Sequence, residues 1–266
     1  MVIVGELINA SRKTIAKAIK ENDVNYIKQI AQEEYEAGAD YIDVNAGVFV
    51  GQEPMYLKWL IQNVQEELQI PCCIDSPDPK AIEAALKVHK GTAMINSISL
   101  EEGRYEAILP LIEGTDLKIV ALCMGAHGMP ETVDDRLKIA DVLVNGLVQH
   151  NIPIDNIYMD PLVQPIGTND TYGFEFLDAV QAITTRFKGI HTMCGLSNIS
   201  FGLPKRKLIN QVFAVMAVCK GLDGLIVNPL DKSMMANLTI AETLNGHDDF
   251  CTNYLQAFRS KKLELN

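Results

Sequence analysis

The sequence predicts an α/β chain folded as one (β/α)8 barrel spanning residues 1–266. Three observations carry this reading. About eight short, β-rich apolar runs alternate with longer helical patterns. Those runs are apolar on both faces, as strands of a parallel sheet covered by helices must be. No linker, low-complexity tract or charge block divides the 266 residues, a length that one such barrel fills. A doubly wound open sheet is the alternative, but its G-x-G-x-x-G turn is missing after the first strand.

In chain order the predicted strands are VIVG (2–5), YIDVN (41–45), CCID (72–75), AMINS (93–97), KIVALCM (118–124), IYMD (157–160), HTMCG (191–195) and GLIVN (224–228). Amphipathic stretches lie between them. In 23–39, Tyr26, Ile27, Ile30, Ala31 and Tyr35 recur at helical spacing, and 81–89, 104–114, 135–150 and 207–221 read similarly. The Met and Leu positions of the last stretch form a packing stripe.

Composition narrows the functional classes. With 48% hydrophobic and 21% charged residues the chain is an ordinary globular protein. A net charge of −11, with no basic stripe bearing aromatics, argues against nucleic acid as a partner. The opening MVIVGELINASRK lacks the pattern of a signal peptide. No apolar run approaches the ~20 residues of a bilayer span. The six cysteines form no CxxC and no regular framework, and most lie in apolar surroundings where a free thiol acts as a small hydrophobe, which fits a reducing compartment. A cytoplasmic protein without membrane attachment is expected.

Polar residues gather where the strands end. Glu6 and Asn9 follow the first, Asp43 and Asn45 sit on the second, Asp75 ends the third, and Asn96 lies on the fourth. Asp160 ends the sixth, Asn198 follows the seventh and Asn228 ends the eighth. A single Asp or Asn there would be explained as a helix cap. Recurrence on most strands points instead to a pocket, because barrel chemistry lies at the C-terminal ends of the strands.

The residue types limit that chemistry. Lys118 is at the wrong end of its strand for a Schiff base, and Cys123 and Cys194 have no evident base partner. No phosphate loop is present. Asp43, Asp75 and Asp160 could hold a hard cation such as Mg²⁺. The interspersed Asn residues suit another use, since Asp accepts N–H groups while Asn both donates and accepts, together matching a flat heterocycle. No metal is therefore assigned. His127 and His191 could titrate near neutrality, but surface or packing roles are expected.

GELIN (5–9), DVNAG (43–47), CIDSPDPKAIEAAL (73–86), MINSISLEEG (94–103), YMDP (158–161) and GLSNISFGLPKRKLIN (195–210) occur in an order that resembles the pterin-binding methyltransferases. These include methyltetrahydrofolate:corrinoid protein methyltransferases and the folate domain of cobalamin-dependent methionine synthase. The resemblance implies that Asp75, Asn96 and Asp160 hydrogen-bond a pterin ring. It implies that Asn198 reaches the N5 region as the catalytic residue, that Gly195 and Ser197 share its loop, and that Arg206 lies near the substrate. Glu6, Asp43 and Asn45 fall within family motifs without a defined role. Phe201 stands where the acetogenic enzymes carry Gln and resembles the methionine synthase version.

The implied substrate is tetrahydrofolate or 5-methyltetrahydrofolate, in one-carbon metabolism. The implied cobalamin is carried by a partner, either a corrinoid iron–sulfur protein or a small corrinoid-binding protein, since no D-x-H-x-x-G stretch is found here. Loops 124–135 and 200–207 are candidate docking surfaces, and a homodimer is expected by analogy. A dihydropteroate synthase-like enzyme is weaker, because the matching region reads DPLVQPIG. A pterin-binding protein without catalysis is the remaining alternative.

Overall fold

A computed structural model describes residues 1–126 and 128–264; His127 lies outside the described residues. The strands are β1 (Val2–Asn9), β2 (Tyr41–Asn45), β3 (Cys72–Asp75), β4 (Met94–Ile98), β5 (Lys118–Leu122), β6 (Ile157–Asp160), β7 (His191–Gly195) and β8 (Gly224–Val227). All pair in parallel and in sequence order, and β1 pairs with β8 to close the barrel.

Each strand is followed by at least one helix. In order these are α1 (Lys13–Glu21), α2 (Val24–Ala37), α3 (Glu53–Glu67), α4 (Pro79–Leu86), α5 (Arg104–Ile112) and α6 (Val133–Gln149). Then come α7 (Tyr172–Arg186), α8 (Arg206–Cys219), α9 (Lys232–Leu244) and α10 (Thr252–Arg259). Among the described residues no helix is long and apolar enough to cross a membrane.

The alternation of side chains along each strand separates two cores. Outward residues such as Ile42, Ile74, Ile95 and Ile119 pack under the helices. Inward residues Val4, Cys73, Met94, Val120, Tyr158 and Met193 fill the barrel itself. The barrel is therefore plugged, and only its ends can take up a ligand. The buried Cys72, Cys73, Cys123 and Cys194 are free thiols that serve as packing.

Two local details depart from the expected pattern. The first strand runs to Asn9 rather than ending near Gly5, and its register against β2 shifts between Gly5 and Ile8. Glu6 and Leu7 together oppose Asp43, as in a bulge. In α2 the expected stripe is rotated: Tyr35 is half exposed, and Glu34 is buried with Ile27 and Ala31.

Candidate active site

Helix caps account for other carboxylates, not those of the strand ends. Asp23, Asp78 and Asp231 each accept the backbone N–H that caps α2, α4 and α9, and Thr132 with Asp135 forms a capping box on α6. Asp75 instead accepts 2.8 Å from the Asn45 side-chain amide. Asp160 accepts 2.7 Å from the backbone N–H of Leu162, a residue at φ 67°. Both carboxylates stay on the strand ends, facing the mouth.

There they line a cavity of about 560 Å³ together with Glu6, Asn9, Ser11, Arg12, Asp43, Asn96, Leu122, Leu162, Val163, Gly195, Ser197, Asn198 and Ile226. That volume is in the range of small-molecule sites. The expected residues Glu6, Asp43, Asp75, Asn96, Asp160, Gly195, Ser197 and Asn198 thus meet in one place. Asn45 acts behind them, fixing Asp75 with its amide N–H while its carbonyl accepts from Gly47. Asn228 lines an adjoining small pocket with Glu6, Ser197 and Lys207.

Arg206 and Phe201 lie outside that lining. The Arg206 guanidinium donates 2.6 Å to the Ser197 carbonyl and 3.1 Å to the Ser200 hydroxyl, and it stands 6.0 Å from the Phe201 ring centroid. It braces the turn Leu196–Ser200 that carries Asn198. Phe201 is 66% exposed at the rim.

The electrostatics of the mouth are set by burial with little compensating charge. Burial pushes Asp160 up to about 7, against hydrogen bonds from Leu162 and Gly195 and the positive charge of Arg136. Burial also raises Asp75, opposed by the Asn45 hydrogen bond. Asp43 is held well above the carboxylate range by burial and then by the neighbouring Asp75. Glu6 is raised by burial despite its 2.8 Å ion pair with Arg12. Such a set accepts N–H groups readily once they arrive, because they relieve the cost of desolvation. Among the described residues no His/Cys/Asp/Glu cluster suited to a metal ion occurs.

Two arginines shape the loops beneath these groups and were not singled out in the sequence. Arg104 donates to the carbonyls of Ser76, Pro77 and Ser97, tying together the loops after Asp75 and Asn96. Arg136, fully buried, donates to the carbonyls of Glu131, Thr132, Pro161 and Leu162 and so holds the segment after Asp160. Their local sequence carries no mark of this, since every partner is a backbone oxygen.

A closed parallel barrel thus gathers Asp75, Asn96 and Asp160 from three separate strands at its mouth. The profile described as pterin binding enzyme matches residues 5–228, and the chain belongs to that family. It is 36% identical to a methylcorrinoid:tetrahydrofolate methyltransferase of Eubacterium limosum over 265 residues, 99% of this chain and 98% of that protein. It is 28% identical to a methionine synthase of Mycobacterium leprae over 242 residues, 86% of this chain but 20% of that longer protein. Among solved structures, a dihydropteroate synthase of Yersinia pestis superposes with a TM-score of 0.72 at 16% identity, covering 92% of this chain and 94% of that one. One from Coxiella burnetii, in complex with pteroic acid, gives 0.71 at 17%, covering 93% and 94%. These two likenesses concern the fold.

Proposed function

We propose that this protein transfers a methyl group between N5 of tetrahydrofolate and the cobalt of a corrinoid carried by a partner protein. The observation that carries the reading is the joint presence of Asp75, Asn96, Asp160 and Asn198 in the lining of one cavity. Full-length similarity to a methylcorrinoid:tetrahydrofolate methyltransferase supports the same reading and favours tetrahydrofolate as the methyl acceptor.

The partner's corrinoid supplies cobalt as the carrier of the methyl group. This chain's residues bind and orient the folate. Asp75 and Asp160 accept N–H groups from the polar edge of the pterin, and Asn96 both donates and accepts. Asn198 is exposed on its short turn and presents an amide N–H toward N5. A hydrogen bond there that strengthens as charge develops on N5 lowers the barrier in either direction. Asn198 does not ionise, so the proton exchanged with N5 passes through water and the carboxyls behind it. Arg206 contributes by fixing the Asn198 turn.

The docking face for the corrinoid protein is the rim, where Met129 is 62% and Phe201 66% exposed. We assign a homodimer contact to the groove between α7 and α8, where Phe174, Leu208, Val212 and Met216 are exposed around Ile166 and Phe213. The protein acts in the cytoplasm.

Stopped-flow cobalt spectroscopy tests the function directly. Mixing the protein and methyltetrahydrofolate with cob(I)alamin is expected to give the methylcobalt spectrum, and tetrahydrofolate with methylcobalamin the reverse change. A protein that binds folate but converts cobalt in neither direction would be a mere binder, and the proposal would fail.

A further inference from the structure

We propose that Asn45, at the end of β2, is a positioning residue for the folate substrate: it turns the Asp75 carboxylate so that the protein holds one oxygen and the other is kept for ring N–H groups. The proposal rests on the function read above and gives a role to a residue outside the cavity lining.

Strand register sets the pair. In the parallel ladders Asn45 stands opposite Asp75, and Asp75 opposite Asn96, so the three residues form one row across β2, β3 and β4. Partners in such a row project to the same face of the sheet. Within it, Nδ2 of Asn45 donates 2.8 Å to Oδ2 of Asp75. Asp75 and Asn96 line the mouth cavity, whereas Asn45 does not. Asn45 therefore reaches a ligand only through Asp75.

The Asn45 amide has one workable orientation. Its Oδ1 accepts the Gly47 backbone N–H at 3.0 Å, the local bond by which an Asn side chain closes a turn on its own backbone. Turning the amide over would set Oδ1 against the Asp75 carboxylate and Nδ2 against the Gly47 N–H, and both bonds would be lost. The donor is locked toward Asp75 before any ligand arrives.

No other side chain does this for Asp75. Among the described residues Asn45 supplies the one hydrogen bond to that carboxylate, which leaves Oδ1 without a protein donor. The positive charge of Arg104 also favours an ionised Asp75, but its guanidinium donates to the carbonyls of Ser76, Pro77 and Ser97.

A neutral donor suits the task. A Lys or Arg at position 45 would cancel the negative charge that attracts ring N–H groups, while an amide fixes the carboxylate and leaves its charge in place. A carboxylate without such an anchor rotates about its last torsion. The ligand would then bear the cost of ordering it.

The test is a double-mutant cycle on tetrahydrofolate binding, read by calorimetry. Asn45→Leu keeps the size of the side chain and removes its donor. In the otherwise wild-type protein N45L is expected to weaken binding about tenfold, the scale of ordering one side chain for a hydrogen bond. In an Asp75→Ala background the same substitution should change affinity by less than about twofold, because the group it positions is gone. In methyl transfer, N45L should raise KM for methyltetrahydrofolate and leave kcat within about threefold, since Asn198 is untouched.

No loss in the wild-type background, or equal losses in both, would overturn the inference alone. A wild-type protein that binds no tetrahydrofolate would overturn the function reading with it. Should N45L not fold, the wild-type and D75A proteins decide by NMR of the ¹⁵N-labelled Asn45 side-chain amide. An amide proton that exchanges slowly in the wild-type protein and quickly in D75A supports the assignment, and identical exchange in both overturns it.

Discussion

The two ends of the barrel handle charge in opposite ways. At the closed end, His191 on β7 meets Asp223 at 2.6 Å and Asp155 at 3.1 Å. It stacks on Tyr158 at 4.7 Å between ring centroids. The Lys118 ammonium adds a hydrogen bond to the Asp155 carbonyl and lies 5.9 Å from the Tyr158 ring centroid. The Asp223 hydrogen bond raises His191, and the His191 hydrogen bond lowers Asp155. At the open end Asp43, Asp75 and Asp160 are buried and raised, with Asn45 and backbone N–H groups as their main partners. Matched charge seals a barrel, whereas unmatched carboxyls leave it ready for a ligand that brings its own donors. The open end is therefore the one chemically suited to such a ligand, and its unpaired carboxyls carry a cost in stability.

Substitutions can break or sharpen this contrast. The largest effect is expected from Asn198→Ala, which should slow methyl transfer by about 100-fold or more while folate affinity changes little. Stopped-flow rates and a parallel binding titration separate the two, and an equal loss in both would remove the transition-state role. Next, Asp75→Ala or Asp160→Ala should weaken tetrahydrofolate binding by about 10- to 100-fold, the scale of a hydrogen bond to a charged group. Calorimetry measures it, and unchanged affinity would misplace the pocket.

A third prediction concerns stability without ligand. Asp160 binds its proton more tightly in the folded protein, at about 7, than in an unfolded chain at about 4. Its contribution to stability therefore declines as pH rises through that window. Asp160→Asn should remove this decline and stabilise the protein above pH 7 by about 1–3 kcal/mol, read from urea unfolding at several pH values. A destabilised variant would mean that the charge is compensated in the folded state.

The smallest effect belongs to the closed end. Asp223→Asn removes the negative charge facing His191, whose folded value that carboxylate raises. That contribution is fully present below the unfolded histidine value and is lost as pH rises through the folded one. The variant should lose about 1 kcal/mol at acidic pH, converge on the parent protein at alkaline pH, and transfer methyl normally. A large loss of activity would erase the distinction between the ends.

Much of this plan was legible in the sequence, because strands buried on both faces announce themselves as apolar runs. All eight observed strands overlap the predicted runs, and β2, β3, β6 and β7 match them residue for residue. Strand-end residues such as Asp75, Asn96 and Asp160 were legible for the same reason, since a strand's position fixes where its last side chain points.

Long-range partnerships were not. Glu34 looks like one acid among several in QEEYE, and only the bulge at Gly5–Ile8, formed against another strand, draws it inside in place of Tyr35. The bracing of Ser197 and Ser200 by Arg206 depends on the turn geometry and leaves no mark in the local sequence. Nor does any local pattern reveal that His191 meets Asp155 and Asp223, 36 and 32 residues away.

The most direct test of the open end is calorimetric titration of tetrahydrofolate near pH 6.5, in two buffers of different ionisation enthalpy. If ring N–H groups dock on Asp75 and Asp160, the bound carboxyls ionise more readily, and saturable one-to-one binding should release protons in the wild-type protein but fewer in Asp160→Asn. No binding heat in either buffer, or identical proton release from both proteins, would contradict the account.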